Sequence, residues 1–366
     1  MLVLVLNAGS SSVKYQLVDS DTGERLAGGI VEEVVDHAAA LREVVAGVEH
    51  LGRPIDAIGH RVVHGGDVFS EPALVDDAMI DVIRELVPLA PLHNPANIAG
   101  IEAARVTWPT LAQVAVFDTA FHRTLPPAAY RYAVPTEWYE QYGVRRYGFH
   151  GTSHDYVSSR AAVVLGRPRS ELDLIVAHLG NGASVTAVQR GRSVETSMGL
   201  SPLEGLVMGT RSGDIDPAAI SYVAAASGTP EVDVLAELNR SSGLLGLCGD
   251  SDMRAITERV DAGDPQAELA LDVFCHRIRK YVGAYVAVLG GCDALVFTAG
   301  IGEHSAPVRA KVCAGLGVFG IALDDDRNER SELVISRDDA STAVLVVPTD
   351  EEHAIAEQTA GVVAGR

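Results

Sequence analysis

The sequence has little lysine, little cysteine and no basic stripe, and each shortage excludes a class of function. Lysine occurs only at positions 14, 280 and 311, while the formal net charge is −20. Such a chain has no cluster that would meet the phosphates of nucleic acid or an anionic membrane surface, so we predict neither partner. A nucleotide remains compatible because it needs only local donors. The four cysteines form no Cys-x-x-Cys pair, which is typical of buried thiols in a reducing compartment.

Long hydrophobic runs are also missing. No run approaches the ~20 residues of a membrane span, and the apolar start is too short and too uncharged for a signal peptide. We therefore predict a cytoplasmic protein. The length of 366 residues, with 47% hydrophobic and 21% charged residues, is typical of a globular chain with two domains.

Several patterns that mark well-known enzyme classes do not occur. No Gly-Lys dipeptide exists, which excludes a Walker A loop, and no Gly-x-Ser-x-Gly exists, which argues against an esterase elbow. The histidines invite a zinc interpretation, but His150 and His154 straddle a predicted helix start instead of sharing one helical face. We therefore disfavour zinc.

Two strand–turn–strand patterns of the same design are present. An apolar run at 2–6 leads into Asn-Ala-Gly-Ser-Ser-Ser and Lys14, and a second run at 174–179 leads into Gly-Asn-Gly-Ala-Ser. Each turn suits a phosphate because glycine exposes backbone N–H groups beside hydroxyls, although each alone is also compatible with an ordinary hairpin. The repetition predicts a duplicated domain with two turns facing one ligand, the layout of the actin-like ATPase superfamily.

Charged side chains stand where strands and helices end. Arg61 lies in an apolar strand before Gly65-Gly66, and Asp118 ends the strand 111–117, where α/β folds keep functional groups. An ion-paired core arginine is the alternative for Arg61. His150 precedes a predicted helix, a position that favours anions, and Arg211 lies in the long glycine-rich loop 197–217. The sequence shows no obvious activated serine or cysteine nucleophile. A set of two arginines, a histidine and an aspartate therefore fits direct phosphoryl transfer.

Periodicity predicts further elements. We expect helices at 38–51, 76–86, 97–105, 152–165 and 266–289, a proline-rich loop at 88–95, an irregular segment at 126–142 and a second glycine-rich loop at 241–253. A last strand at 343–347 leads into Asp350, Glu351 and Glu352. These carboxylates suit a hydrated Mg²⁺, although for Asp350 and Glu352 we favour the simpler interpretation of acidic residues in the first helical turn.

Nine segments resemble acetate kinases, and they follow one another in the order of that family. They are residues 4–15, 60–66, 88–97, 117–122, 148–154, 178–184, 197–217, 298–303 and 348–352. The resemblance implies Mg²⁺ (or Mn²⁺) bound near Asn7 and Glu351, a substrate-binding Arg61, a catalytic acid Asp118, and transition-state stabilisers His150 and Arg211. It also implies an apolar pocket for the acetate methyl group, made of Val63, Leu92, Phe149 and Pro202. The nucleotide residues that it implies are Lys14, His178, Leu179, Gly180, Asn181, Gly182, Asp252, Met253, Arg254, Gly300, Ile301, Gly302, Glu303 and His304.

The sequence departs from the family pattern in three places. The segment between the first hairpin and His60 is shorter than usual, which leaves peripheral N-terminal structure open. His304 and Asp350 stand where the family usually has asparagine, and Ser212 replaces a common cysteine. The substitutions at His304 and Asp350 affect nucleotide contacts or the geometry near Glu351.

We accordingly expect an α/β protein with two actin-like (ribonuclease H-like) domains of ββαβα type and a nucleotide cleft between them. The expected domains are residues 1–118, to which a terminal helix 352–366 returns, and residues 119–351, which bind nucleotide and form a homodimer. The resemblance implies reversible, Mg²⁺-dependent phosphoryl transfer from ATP to acetate, giving acetyl phosphate and ADP. A propionate kinase with the same chemistry is the nearest alternative, and an actin- or chaperone-like ATPase module is the alternative from another class.

Overall fold

A computed structural model describes residues 1–9, 12–34, 36–49 and 52–365. The strands in these ranges are β1 Leu2–Ala8, β2 Ser12–Asp19, β3 Arg25–Glu32, β4 Ala57–Val62, β5 Ala73–Leu74, β6 Ala112–Phe117, β7 Asp173–Leu179, β8 Ala183–Gln189, β9 Arg192–Thr196, β10 Ala294–Thr298 and β11 Ala343–Val346. The helices are α1 His37–Glu49, α2 Asp77–Glu85, α3 Asn94–Thr107, α4 Pro127–Tyr130, α5 Thr136–Tyr142, α6 Gly151–Leu165, α7 Ala218–Ser227, α8 Glu231–Arg240, α9 Gly243–Cys248, α10 Met253–Asp261, α11 Pro265–Leu289, α12 Ala299–His304, α13 Ala306–Cys313, α14 Asp325–Glu329 and α15 Glu351–Val363.

The chain divides into two compact units. The first unit comprises Met1–Arg123, Phe149–Tyr156 and Asp350–Arg366, and the second comprises Thr124–Gly148 and Val157–Thr349. Each unit contains one mixed sheet, with the strand order β3-β2-β1-β4-β6-β5 in the first and β11-β10-β7-β8-β9 in the second.

The two sheets share one topology. In each, three consecutive strands pair antiparallel, and the first of them also pairs parallel with a strand reached through helices. A further parallel strand follows on that side in both sheets, β6 in one and β11 in the other. This repetition confirms the predicted duplication of an α/β fold.

The unbroken apolar run of β1 is explained by helices on both faces of the first sheet. Leu2, Leu4 and Leu6 lie in one core cluster together with buried residues of α1. Val3 and Val5 point to the other face, where they pack with Ile355 of the terminal helix α15. Strands that are buried on both sides need apolar residues at every position.

The longest helix, α11, has the ends that its sequence predicts. The Asp264 carboxylate accepts hydrogen bonds from the N–H groups of Gln266 and Ala267, Pro265 occupies the first turn, and Gly290 ends the helix at φ 76°. Within the second unit α11 contacts β7 and β8. None of the helices in the described ranges combines the length and apolarity that a membrane span requires.

Three predicted segments differ in the structure. Helix α3 begins at Asn94, inside the predicted proline-rich loop, because Pro95 occupies the first turn, where a missing N–H leaves no bond unmade. The segment predicted as irregular contains α4 and α5, and the second glycine-rich loop contains α9. After β10, Gly300 and Gly302 lie in the short helix α12. The predicted roles of Ser10 and Ser11, and the predicted last turn of α1, lie outside the described residues.

Candidate active site

In the first unit, strand register brings several predicted site residues into one row. Asn7 of β1 is opposite Lys14 of β2, and it follows Leu6, which is opposite His60 of β4. Arg61 therefore stands beside Asn7. Side chains alternate along a strand, so Asn7, which follows Val3 and Val5, belongs to the face that α15 covers. Asp118 follows Val114 and Val116 of that same face.

Arg61 and Asp118 form a two-bond pair at the end of this row. Arg61 donates from Nε to Oδ1 of Asp118 at 3.0 Å and from Nη2 to Oδ2 at 2.6 Å. Glu351, the first residue of α15, lies 3.8 Å from Arg61 Nε. A planar guanidinium held at two of its three nitrogens has a fixed orientation, which suits it to binding a second carboxylate.

Burial sets the protonation of this cluster. The Asp118 side chain is 2% exposed, and desolvation raises the pKa of its carboxyl group to about 6, although Arg61 opposes that rise. Burial opposes the charge of Arg61, but Asp118 and then Glu351 outweigh it and raise the pKa of the guanidinium, which stays charged. Burial also lowers the pKa of His60 and His64 to about 4, which keeps both rings neutral near pH 7.

Two of the predicted pocket residues are buried, while a third is open to solvent. Val63 and Phe149 are 9% and 2% exposed, and the Phe149 ring meets His64 edge to face at 5.6 Å between centroids. Leu92 is 53% exposed. Leu92 therefore lies at the surface of the first unit, in contrast to the enclosed Val63 and Phe149.

His150 has an unusual backbone conformation. Its φ of 57° lies in the left-handed region, which a residue with a side chain rarely adopts and which often marks functional sites. On one side the carbonyl of Phe149 bonds Nε2 of His122 at 2.9 Å. On the other, the N–H of Gly151 donates to the carbonyl of Asp118 at 2.8 Å. The start of α6 is thereby tied to the end of β6.

The terminal helix forms ion pairs that its sequence alone does not reveal. Lys14 pairs with Glu352, and Arg25 pairs with Asp350 at 3.1 Å. Asp350 also caps α15 by accepting from the N–H of His353, as an acidic residue at a helix start is expected to do. Glu351 makes only the long contact with Arg61 among the ion pairs of the described residues.

In the second unit, eight of the predicted nucleotide residues line one cavity of about 630 Å³. They come from the β7–β8 turn (Gly180, Asn181), the start of α10 (Asp252, Met253, Arg254) and α12 (Gly300, Ile301, His304). The cavity has the size that a nucleoside needs. Prediction missed six further residues of its wall, which are Ser251, Thr257, Glu258, Asp261, Ser305 and Pro307. Residues 254, 257, 258 and 261 share one face of a helix, a spacing that would have revealed them.

The remaining predicted nucleotide residues do not line this cavity. Leu179 is fully buried in β7, His178 is 7% exposed, and Gly302 is also buried. Gly182 accepts at its carbonyl from the N–H of Gly180 at 3.1 Å and so shapes the turn. Lys14 belongs to the first unit.

Glu303 has a structural function within the nucleotide segment. Its Oε1 accepts from the N–H of Ala299 at 2.8 Å and from the N–H of Thr349 at 3.0 Å. Ala299 itself has a φ of 64°, so the carboxylate stabilises a strained helix start. The bonds of Glu303 join the beginning of α12 to the segment that precedes Asp350.

Arg211 lies in a loop that is held firmly inside the second unit. Its Nη1 donates to the carbonyl of Pro202 at 3.2 Å, and burial lowers the pKa of its guanidinium. The neighbouring Gly209 donates to the carbonyl of Asn181 in the β7–β8 turn at 3.0 Å. A side chain on Gly209 would collide with Asn181, at 2.0 Å from the ideal Cβ position to Oδ1. Arg211, Pro202 and the turn are thus parts of one packed arrangement.

Within the described ranges, no group of three or more histidine, cysteine or acidic side chains has the geometry of a metal site. Asn7 of β1 and Glu351 of α15 lie on two elements of the first unit that contact each other, and their side chains carry an amide and a carboxylate group. Such a pair of oxygen donors fits Mg²⁺, which keeps several waters and requires few protein ligands.

Comparison with known proteins agrees with these observations. The model of the acetokinase family matches residues 2–51 and 33–357. An acetate kinase from Streptomyces avermitilis is 54% identical over an alignment of 391 residues that covers 98% of this chain and 96% of the relative. Among solved structures, an acetate kinase from Porphyromonas gingivalis superposes with a TM-score of 0.95 at 42% identity, covering 99% of both chains. A propionate kinase from Francisella tularensis gives a TM-score of 0.93 at 42% identity, with 98% of this chain and 99% of the other covered. The chain belongs to the acetokinase family.

Proposed function

We propose that this protein transfers the γ-phosphoryl group of ATP reversibly to acetate, giving acetyl phosphate and ADP. The observation that carries the proposal is the fixed Arg61–Asp118 pair in a unit that also buries the apolar Val63 and Phe149. A guanidinium next to a small apolar surface suits a short carboxylic acid. The 54% identity to an acetate kinase over nearly the whole chain supports the same activity.

Charge neutralisation is the main task of such a site. Acetate is an anion at neutral pH, so its attack on a phosphoryl group needs no base to activate it, and the barrier comes largely from repulsion between anions. We assign Arg61 to the carboxylate, and Arg211 and His150 to the negative charge on the transferred phosphoryl group. Asp118 acts mainly by orienting Arg61, because both of its oxygens accept from that guanidinium.

We propose that Asn7 and Glu351 hold a hydrated Mg²⁺. When bound, the ion would neutralise phosphate oxygens of the nucleotide. Lys14 and the cavity of the second unit are assigned to the nucleotide, with Gly180 of the β7–β8 turn and Gly300 of α12 offering backbone N–H groups at close range. Val63, Phe149, Leu92 and Pro202 are assigned to recognition of the acetate methyl group.

We further propose a homodimer in the reducing cytoplasm. Helix α7 is apolar in sequence yet largely open, with Tyr222 and Val223 being 76% and 41% exposed, so its face suits the matching face of a second copy. All four cysteines are free thiols, as expected in a reducing compartment. Gel filtration with light scattering would test the dimer, and a monomer would contradict it.

The proposed function is tested by the arginines in a hydroxamate assay, which traps acetyl phosphate. Arg211→Ala should lower kcat by ~100-fold or more, because a preorganised charge that acts in the transition state is lost. Arg61→Ala should also raise the KM for acetate. Arg105→Ala is the control, since this residue pairs with Asp77 at the surface of the first unit. Near-wild-type kinetics in the two site variants would contradict the assignment.

A further inference from the structure

Asn97 makes an unusual connection between two strand ends in the first unit. Its side chain, on α3, is 3% exposed. The Oδ1 atom accepts from the N–H of Val63 at 3.1 Å, just past β4, and the Nδ2 group donates to the carbonyl of Ala8 at 2.8 Å, at the end of β1. One side-chain amide thus joins the backbones of two neighbouring strands.

Strand register identifies what this amide replaces. β1 and β4 are parallel with Leu6 opposite His60, so Ala8 lies opposite Val62. In a parallel ladder a carbonyl accepts from the N–H one residue beyond its partner, and the next direct bond would run from Val63 to Ala8. The register ends at Leu6 and His60, and the Asn97 amide stands between the two backbone groups instead.

The bridge lies next to the proposed reaction site. Asn7, the proposed Mg²⁺ ligand, directly precedes Ala8, and Arg61 is two residues before Val63. Helix α3 packs closely on this end of β1, because a Cβ on Gly100 would lie only 2.5 Å from the Cβ of Ala8. The amide is therefore held in place by its helix, and it sets the separation of the two strand ends.

We propose that Asn97 is a positioning residue that spreads the ends of β1 and β4 by the width of one amide, and so sets the spacing between Asn7 and Arg61. The inference rests on the proposed function, because it links the Mg²⁺ site to the acetate site. The side-chain amide of asparagine satisfies both backbones, since it accepts with its oxygen and donates with its nitrogen. Aspartate would keep the bond from Val63 and lose the bond to Ala8, and leucine would lose both.

The test compares Asn97→Leu and Asn97→Asp with Gln113→Leu. Gln113 is a matched control because it is also a buried amide of the first unit, 5% exposed, and bonds the ring of His60 at 2.8 Å. Mg²⁺ titration and the KM values for acetate and ATP are measured for each variant, with thermal unfolding as a check on folding.

We expect Asn97→Leu to raise both the acetate KM and the half-saturating Mg²⁺ concentration by ~10-fold or more. The reason is that Arg61 and Asn7 would no longer be held at the positions that binding and transfer require. The ATP KM should change less than the acetate KM, because eight of the proposed nucleotide residues line the cavity of the second unit. Asn97→Asp should shift the Mg²⁺ requirement more than the acetate KM. Unchanged values in a folded Asn97 variant, or equal changes in Gln113→Leu, would overturn the proposal.

Hydrogen–deuterium exchange separates this inference from the proposed function. If wild-type protein forms no acetyl phosphate, the proposed function fails, but the bridge can still be read from backbone protection. The Val63 N–H should exchange faster in Asn97→Leu than in wild type, and at the wild-type rate in Gln113→Leu. Equal exchange of this N–H in wild type and Asn97→Leu would contradict the bridge whatever the enzyme does. If Asn97→Leu does not fold, Asn97→Ala, which also removes both hydrogen bonds, replaces it in the exchange measurement.

Discussion

Arg61 and Asp118 face each other with two hydrogen bonds of 3.0 and 2.6 Å, and the carboxylate is almost completely buried. The sequence left two interpretations of Arg61 open, a site residue and an ion-paired core arginine. Each of them describes part of this geometry. The pair fixes the guanidinium, while the 22% exposure of Arg61 leaves it accessible to a ligand.

This pair predicts a pH dependence of activity. The pKa of Asp118 is raised to about 6, so its carboxylate becomes protonated as pH falls through 6 and loses the charge that orients Arg61. We expect kcat/KM for acetate to fall below about pH 6 in the wild type. Asp118→Asn should have a lower kcat/KM at pH 7 and should lack this acid limb. If Asp118→Asn showed the same fall of kcat/KM at low pH as the wild type, that fall would come from the titration of another group.

The same raised pKa predicts a pH dependence of stability. The native protein holds the Asp118 proton more tightly than the unfolded chain, so this group stabilises the fold at low pH and its contribution is lost as pH rises from about 4 to about 6. His60 and His64, with lowered pKa values, act in the opposite direction in wild type and variant alike. The stability of Asp118→Asn relative to wild type should therefore increase over this pH range. Denaturant unfolding at a series of pH values checks this sign.

The pocket predicts a limited preference for acetate. Val63 is buried and β-branched, and one methylene is worth only ~1–3 kcal/mol of discrimination. Propionate should therefore be a poor substrate of the wild type, and Val63→Ala should improve propionate relative to acetate. Ratios of kcat/KM for the two acids measure this, with Val106→Ala, an 83% exposed valine, as the control.

Part of this account could be predicted from the sequence, and part could not. The two hairpins and helix α11 could be predicted because apolar runs, turn residues and helix caps are local signals. The start of α3 at Asn94 was not, because Pro95 is compatible with both a loop and a first helical turn. The Asn97 bridge depends on which strands become neighbours, and no local pattern encodes that.

Glu351 predicts a selective change in metal dependence. Among the ion pairs of the described residues, Glu351 has the long contact with Arg61, whereas Glu352 is paired with Lys14. Glu351→Gln should raise the half-saturating Mg²⁺ concentration much more than the acetate KM, because a hydrated ion depends on few protein groups. Glu357→Gln, on the exposed side of α15, is the control. An unchanged Mg²⁺ titration in Glu351→Gln would contradict a role in metal binding. Glu351 would then be only an acidic residue in the first turn of α15.

A buried arginine beneath the nucleotide segment predicts a selective effect on ATP. Arg309 is fully buried, and each of its five N–H groups donates to a neutral oxygen, including the carbonyls of Gly302 and Glu303 at the end of α12. Arg309→Lys keeps the charge but cannot make five bonds, so the ATP KM should rise by ~10-fold or more with little change in the acetate KM. Arg279→Lys, which also loses bonds to carbonyls of the second unit, is the matched control. Equal effects in both variants would indicate general destabilisation.

The most direct test of the central claim is phosphoryl transfer by the wild-type protein. Purified protein is incubated with ATP and Mg²⁺ and with acetate, propionate or butyrate, and the acyl phosphate is trapped as its hydroxamate. The account predicts acetyl hydroxamate that requires both ATP and Mg²⁺, with kcat/KM falling from acetate to propionate to butyrate. A higher kcat/KM for propionate would make the protein a propionate kinase, and no acyl phosphate from any of the three acids would contradict the proposed function.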